Sequence, residues 1–165
     1  MNRIILMLTI IVLLNSCTSG KSKNIIANVT VIERLNPKSL QVKKGIFYSI
    51  KIDLINNTDT VLKFWTMTCS WQINWIFENR QFRFFVNCPK NYEIIKQIEP
   101  HEKIVYNGII ELVDTTYVVS DKRFKVGFVL VKDNEADRIG FISTLDNKIK
   151  INKDIIWSEP FKIDK

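Results

Sequence analysis

The chain of 165 residues contains one histidine, His101, and only two alanines, Ala27 and Ala136. A lone histidine excludes any multi-histidine metal site within one chain and leaves every histidine-based proton transfer to His101. Scarce alanine beside 26 Ile and 13 Val disfavours a helical bundle, because the β-branched residues favour sheet and alanine favours helix. Five glycines are too few, and too scattered, to form a Gly-rich phosphate loop, and no G-x-S-x-G nucleophile elbow occurs. No apolar run reaches the ~20 residues of a membrane-spanning helix. What is present is ordinary for one globular domain: 46% hydrophobic and 25% charged residues, which argues against intrinsic disorder.

The N-terminus carries an address. Arg3 precedes an eleven-residue apolar run, Ile4 to Leu14, broken only by Thr9. That length fits the apolar core of a signal peptide. The run ends in Leu14-Asn15-Ser16-Cys17, which resembles the lipobox of bacterial lipoproteins: an aliphatic residue three before the cysteine, a small residue just before it, then the cysteine. Asn15 departs from the usual Ala, Ser or Thr. The resemblance implies a cleaved signal peptide over residues 1–16, lipidation at Cys17, and membrane attachment through several N-terminal acyl chains. The location it implies is the bacterial cell envelope, lipid-anchored at the outer membrane on its periplasmic or surface side. The alternative is an ordinary secretory peptide with an incidental cysteine.

Losing residues 1–16 removes one Arg from a chain with 24 basic and 17 acidic side chains, so the mature chain keeps a positive balance. An exported protein does not meet the chromosome, so nucleic acid is not an expected partner. Scattered lysines such as Lys43, Lys44, Lys148, Lys150 and Lys153 read as solubilising charges that guard strand edges. Attraction to anionic lipids or glycans is the functional alternative.

Residues 17–28 read as the lipidated cysteine and a flexible tether, polar from Thr18 to Asn24, and residues 29–165 as one domain. Period-two alternation recurs through it. Ile46, Tyr48, Ile50, Ile52 and Leu54 share a face. Ile104, Tyr106, Gly108, Ile110 and Leu112 share a second. Phe124, Val126, Phe128 and Leu130 share a third, and Ile155, Trp157, Phe161 and Ile163 a terminal one with Pro160 marking an edge or bulge. Shorter strands are expected at Val29 to Arg34, Tyr92 to Ile98, Ile139 to Ser143 and Lys148 to Ile151, and Asn56-Asn57-Thr58-Asp59 reads as a turn. The fold class expected is all-β, an antiparallel β-sandwich.

Between Val61 and Cys88 the parity of the apolar positions changes near Trp65 to Thr68, as a bulge or a crossing between sheets would require. Trp71, Ile73 and Trp75 then alternate, as do Phe82, Phe84 and Val86. A hairpin with a four-residue loop, Phe77 to Arg80, sets Trp75 against Phe82 and Cys69 against Cys88; a tighter Asn79-Arg80 turn moves Cys88 opposite Trp71. With Cys17 lipidated, Cys69 and Cys88 remain, and outside the cytoplasm a disulfide is favoured over free thiols or a zinc site.

Candidate chemistry is thin, and neither a catalytic residue, a metal site nor a cofactor is expected. His101 lies in a turn sequence, Glu99-Pro100-His101-Glu102. Asp133, Glu135 and Asp137 are spaced like the first ligands of a calcium loop, but Arg138 replaces the turn glycine and Thr144 the bidentate glutamate, so a solvated loop is the default. Trp71 and Trp75 could form a flat platform for sugar rings, although their apolar neighbours suit a core better.

The stretch from Ile46 to Gly108, with its strand, Asn/Thr/Asp turn, aromatic hairpin and Pro-containing turn at Ile98 to Glu102, is similar to small bacterial domains of the BsuPI proteinase-inhibitor group. That likeness covers about 60 residues and implies an immunoglobulin-like architecture, without inhibitory residues. The expectation is a non-enzymatic envelope module with a structural role or a protein partner. A glycan-binding module is the alternative, and an enzyme comes third.

Overall fold

The computed structural model describes residues 24–88, 90–113 and 122–163, so the expected signal peptide and Cys17 lie outside the described residues. In chain order the strands are β1 (Ile25–Leu35), β2 (Ile46–Asn56), β3 (Leu62–Met67), β4 (Trp75–Phe77), β5 (Phe82–Phe84) and β6 (Glu93–Ile98). They continue as β7 (Lys103–Leu112), β8 (Arg123–Phe124), β9 (Val126–Val129), β10 (Ile155–Trp157) and β11 (Phe161–Lys162). Among the described residues one α-helix, α1 (Phe141–Lys150), connects β9 to β10.

The fold is an antiparallel β-sandwich. One layer is a four-stranded sheet in the order β1-β2-β7-β5. In the other layer β9 pairs with β10 on one side and β4 on the other, while β3 pairs with β6. These ladders are linked: Trp65 N–H donates to Val131 O beyond the end of β9, and Phe64 bridges to Lys132. Thus β3 and β4 lie on the same side of the extended β9 strand, with residues 68–74 making an excursion between them. The β11–β8 pair continues the β10–β9 ladder across Ser158, whose N–H donates to Val126 O while its hydroxyl accepts from Val126 N–H.

The alternation read from the sequence holds for the long strands. Tyr48, Ile50, Ile52 and Leu54 of β2, Tyr106, Ile110 and Leu112 of β7, and Phe124, Val126, Phe128 and Leu130 all lie in the core between the layers. The turn after β2 is an Asx turn: buried Asn56 accepts from Thr58 N–H and donates to Thr60 O, Ile98 O and Glu99 O, stitching the β2–β3 and β6–β7 turns together. Domain entry is earlier than the expected boundary at Val29. Ile25 to Asn28 already pair with β2, because Ala27 is buried in the core and Ile25 rests on it.

Two expected strands, Ile139 to Ser143 and Lys148 to Ile151, instead fall at the two ends of α1, with Ile139, Gly140 and Ile151 just outside it. The reason lies in β9, which is apolar on both faces. Val129 and Val131 point away from the sandwich core and need a cover, which Phe141 and Leu145 supply, with Ile142 and Ile149 alongside. Those positions recur at helical spacing, i to i+4 and i to i+7. Asp137 accepts from Gly140 N–H at 2.6 Å just before the first turn, and left-handed Asn152 follows the last. The terminal face also breaks. Ile155 packs with the α1 cluster and Trp157 flanks Gly127, whereas Phe161 and Ile163 turn into the core, the switch falling at Ser158 to Pro160 where Pro160 predicts an irregularity.

Candidate functional site

Cys69 and Cys88 are joined by a disulfide, with Cα atoms 6.0 Å apart. The hairpin expected to bring them together does not form. Trp71–Asn74 is a 3-10 helix, β4 pairs with β9, and β5 pairs with β7 in the opposite sheet. The chain therefore changes layer after Phe77. Of the two origins expected for the parity break near Trp65 to Thr68, a bulge or a crossing, the crossing does not occur there, and the strand is interrupted by the excursion over residues 68–74. The excursion is held by polar contacts that periodicity does not report. Buried Asn74 donates from its amide to Trp65 O and Val129 O. Asn91 Oδ1 accepts from the N–H groups of Cys69 and Ser70. The disulfide thus ties the interruption of one sheet to the connection that leaves β5 at the edge of the other.

Inside this clasp the Trp71 indole stacks on Tyr106 with ring centroids 4.6 Å apart and meets Phe84 edge-on. Trp75 is only 4% exposed and packs against Tyr106 and Phe128. A buried ring offers no face to a sugar, and Trp71 is half-buried with one face already covered. Lys96, on edge strand β6, lies 5.2 Å from the centre of the Tyr106 ring, a cation–π contact. Burial pushes the Tyr106 phenol well above its usual range and the Lys96 ammonium below its own. An inward-pointing lysine on an edge strand discourages further strand pairing there.

Lys148 is not a surface charge. It is 7% exposed, and its ammonium donates to Leu130 O, Glu135 and Asp154 at 2.7–2.8 Å. Burial opposes its charge, but hydrogen bonds to Asp154 and Glu135 outweigh that and raise its pKa. Burial likewise pushes Glu135 upward, yet hydrogen bonds from Lys148 and the Lys132 N–H hold it below the usual carboxylate range. The Lys148 hydrogen bond holds Asp154 low. The three groups stay ionised near neutral pH, a structural ion triad more than a proton-transfer device. Of the calcium-like trio, Glu135 is thus committed to Lys148 and Asp137 to the start of α1, and the described residues contain no cluster of three or more His, Cys, Asp or Glu suited to a metal ion. His101 occupies an exposed turn with left-handed backbone (φ 61°), hydrogen-bonded to Asp59.

One further region is a candidate that alternation alone does not reveal. Where β1 begins, Asn24 and Ile25 stand between two grooves, one apolar along Ile155, Ile156 and Trp157, the other polar along Thr58, Thr60 and Lys63. Lys132 lines both. The one sequence signal for it is that Ile155, Ile156 and Trp157 are consecutive large apolar residues, so both faces of that strand meet apolar neighbours: Ile156 packs on the main core and Ile155 on the α1 cluster.

No known protein-family model matches the chain, and no curated protein does. Among solved structures it is similar to a FixG-related protein from Vibrio parahaemolyticus, at 11% identity and a TM-score of 0.41, over 87% of this chain and 100% of that one. A likeness that distant carries no functional assignment.

Proposed function

We propose that the protein is a lipid-anchored component of the bacterial cell envelope whose β-sandwich has a non-enzymatic role, structural or in binding another envelope protein. The observation that carries this reading is the lipobox Leu14-Asn15-Ser16-Cys17, followed after a short polar stretch by the first strand at Ile25. The Cys69–Cys88 disulfide supports it, since such bridges persist in oxidising, extracytoplasmic compartments. The structural use of Lys148 and the placement of Trp71 and Trp75 in packing support a scaffold over an enzyme or a glycan platform.

Metabolic labelling with a fatty-acid probe tests the anchor. Wild-type chain should take up the probe and fractionate with membranes, and Cys17→Ser should lose both properties or remain unprocessed. Equal labelling of the two would overturn the lipoprotein reading.

A further inference from the structure

Natural sandwiches keep their open sheet edges short, guarded by charge, or covered. Strand β5 has three residues, β10 three and β11 two. Strand β6 carries the inward-pointing Lys96. Strand β1 meets none of these conditions over most of its length. It has 11 residues, forms the outer edge of the four-stranded sheet, and is uncharged from Ile25 to Ile32. Among the described residues its main chain pairs with β2 alone. A bulge between Val31 and Glu33, and the charges of Glu33 and Arg34, come only toward its far end.

A groove of about 450 Å³ follows this edge. One wall is the unbroken run Val29 to Arg34, and the other is Phe161 and Lys162 of β11. Successive side chains of a strand point to opposite faces, so consecutive residues share a groove only along the strand's main-chain edge. A row of N–H and C=O groups at strand spacing is matched by one kind of ligand, another extended main chain. Ile32, 56% exposed beside the bulge, offers that chain an apolar contact.

The choice of chain rests on the lipid anchor proposed above. The tether from Cys17 to Asn24 is about seven residues and spans at most about 25 Å, and every copy carries it immediately before β1. Copies on one bilayer therefore present β1 at the same height and are confined to a surface, which raises their effective concentration. We infer that β1 pairs antiparallel with β1 of a second copy across a two-fold axis, joining two four-stranded sheets into one. Centred on Val29, the pairing sets Ile26 against Ile32 of the second copy and Asn28 against its Thr30. Glu33 and Arg34 stay outside the paired stretch, so no like charges meet. Two edge strands are a small contact beside the ~1,000 Å² of stable interfaces, so the pairing belongs to the membrane-bound chain.

The test uses the full chain in bacterial membranes, carrying Thr30→Cys. In the paired strands Thr30 and its symmetry mate are diagonal neighbours about 7–8 Å apart, within reach of a short bismaleimide. A covalent dimer of doubled chain mass should form, above any seen with wild-type chain treated alike. Gln97→Cys, on the guarded edge β6, should give none. Adding Ile32→Lys to Thr30→Cys should cut the dimer roughly tenfold or more, since a lysine there guards the edge. All three positions are exposed, so the variants should fold, and thermal melts verify this. Absence of the dimer, a cross-linked product of another mass, or an equal dimer yield from Gln97→Cys would overturn the inference. Fatty-acid labelling of Cys17 on the same membranes separates the two readings. Acylated chain without the dimer defeats the strand pairing alone, and a dimer of unacylated chain defeats the anchor alone.

Discussion

Gly108 lies beneath Trp71: a Cβ at position 108 would sit 3.1 Å from Cη2 and 3.2 Å from Cζ2 of the indole. The glycine in the middle of β7 is what lets the Trp71 ring reach Tyr106 between the edges of the two sheets. The ring cannot simply withdraw, because its segment is fastened two residues earlier by the Cys69–Cys88 bridge. Gly108→Val should therefore destabilise the oxidised protein by about 1–3 kcal/mol through overpacking. The penalty should shrink in reduced protein, where the excursion is free to move. Denaturant melts of both proteins in both redox states measure the coupling.

The bridge itself closes a loop of about 20 residues, given its sequence separation of 19. Cys69→Ser/Cys88→Ser should cost about 3 kcal/mol by restoring freedom to the unfolded chain. The same change should alter tryptophan fluorescence, since Trp71 loses its clasp. An unchanged melting curve would show that the Asn74 and Asn91 hydrogen bonds hold the excursion alone.

Trp75 is buried among aromatic rings, and Trp75→Ala should cost about 3–5 kcal/mol in denaturant melts. A variant as stable as wild type would contradict the packing described here and return Trp75 to consideration as a ligand-facing residue.

Removing Lys148 leaves Glu135 and Asp154 facing each other's charge and Leu130 O without its donor. Both carboxylates keep partial contact with water, so Lys148→Met should cost about 1–3 kcal/mol, less than a fully buried pair. The pH dependence has a definite sign. Glu135 and Asp154 both have folded-state pKa values below their unfolded ones, so the stability they confer is present above the unfolded values, near pH 4, and is lost as pH falls through the folded ones. Wild-type stability should decline on acidification below about pH 4, and Lys148→Met should show a flatter decline over the same window. Urea titrations across that range compare the two slopes.

How much was legible before the structure depends on whether the signal was local. The strands of β2, β7 and the β8–β9 stretch announce themselves because each has one face in the core, so apolar residues recur every second position. The Asn56 turn and the irregularity at Pro160 are likewise written into single residues, through an Asx hydrogen bond and a missing N–H. The disulfide was accessible by counting cysteines.

Partnership between strands was not accessible. Trp71 to Trp75 and Phe82 to Val86 have the alternation of a hairpin, yet the first is a 3-10 helix leading into β4, which pairs with β9, and the second supplies β5, which pairs with β7 in the other layer. Alternation states that a face is buried without stating against what. Helix α1 was missed for a related reason: its stripe of Phe141, Leu145 and Ile149 is short and interrupted by polar residues, and it folds as a helix because Val129 and Val131 present a second apolar face that must be covered. Lys148 carries no local mark of burial either, since its partners Glu135 and Asp154 arrive from the loops on either side of the helix. Composition and periodicity by themselves determined an all-β chain with its long strands and their inward faces. Only the tertiary structure decided which strands are neighbours, which lysine is buried and where two grooves meet, because those depend on contacts between residues far apart in the chain.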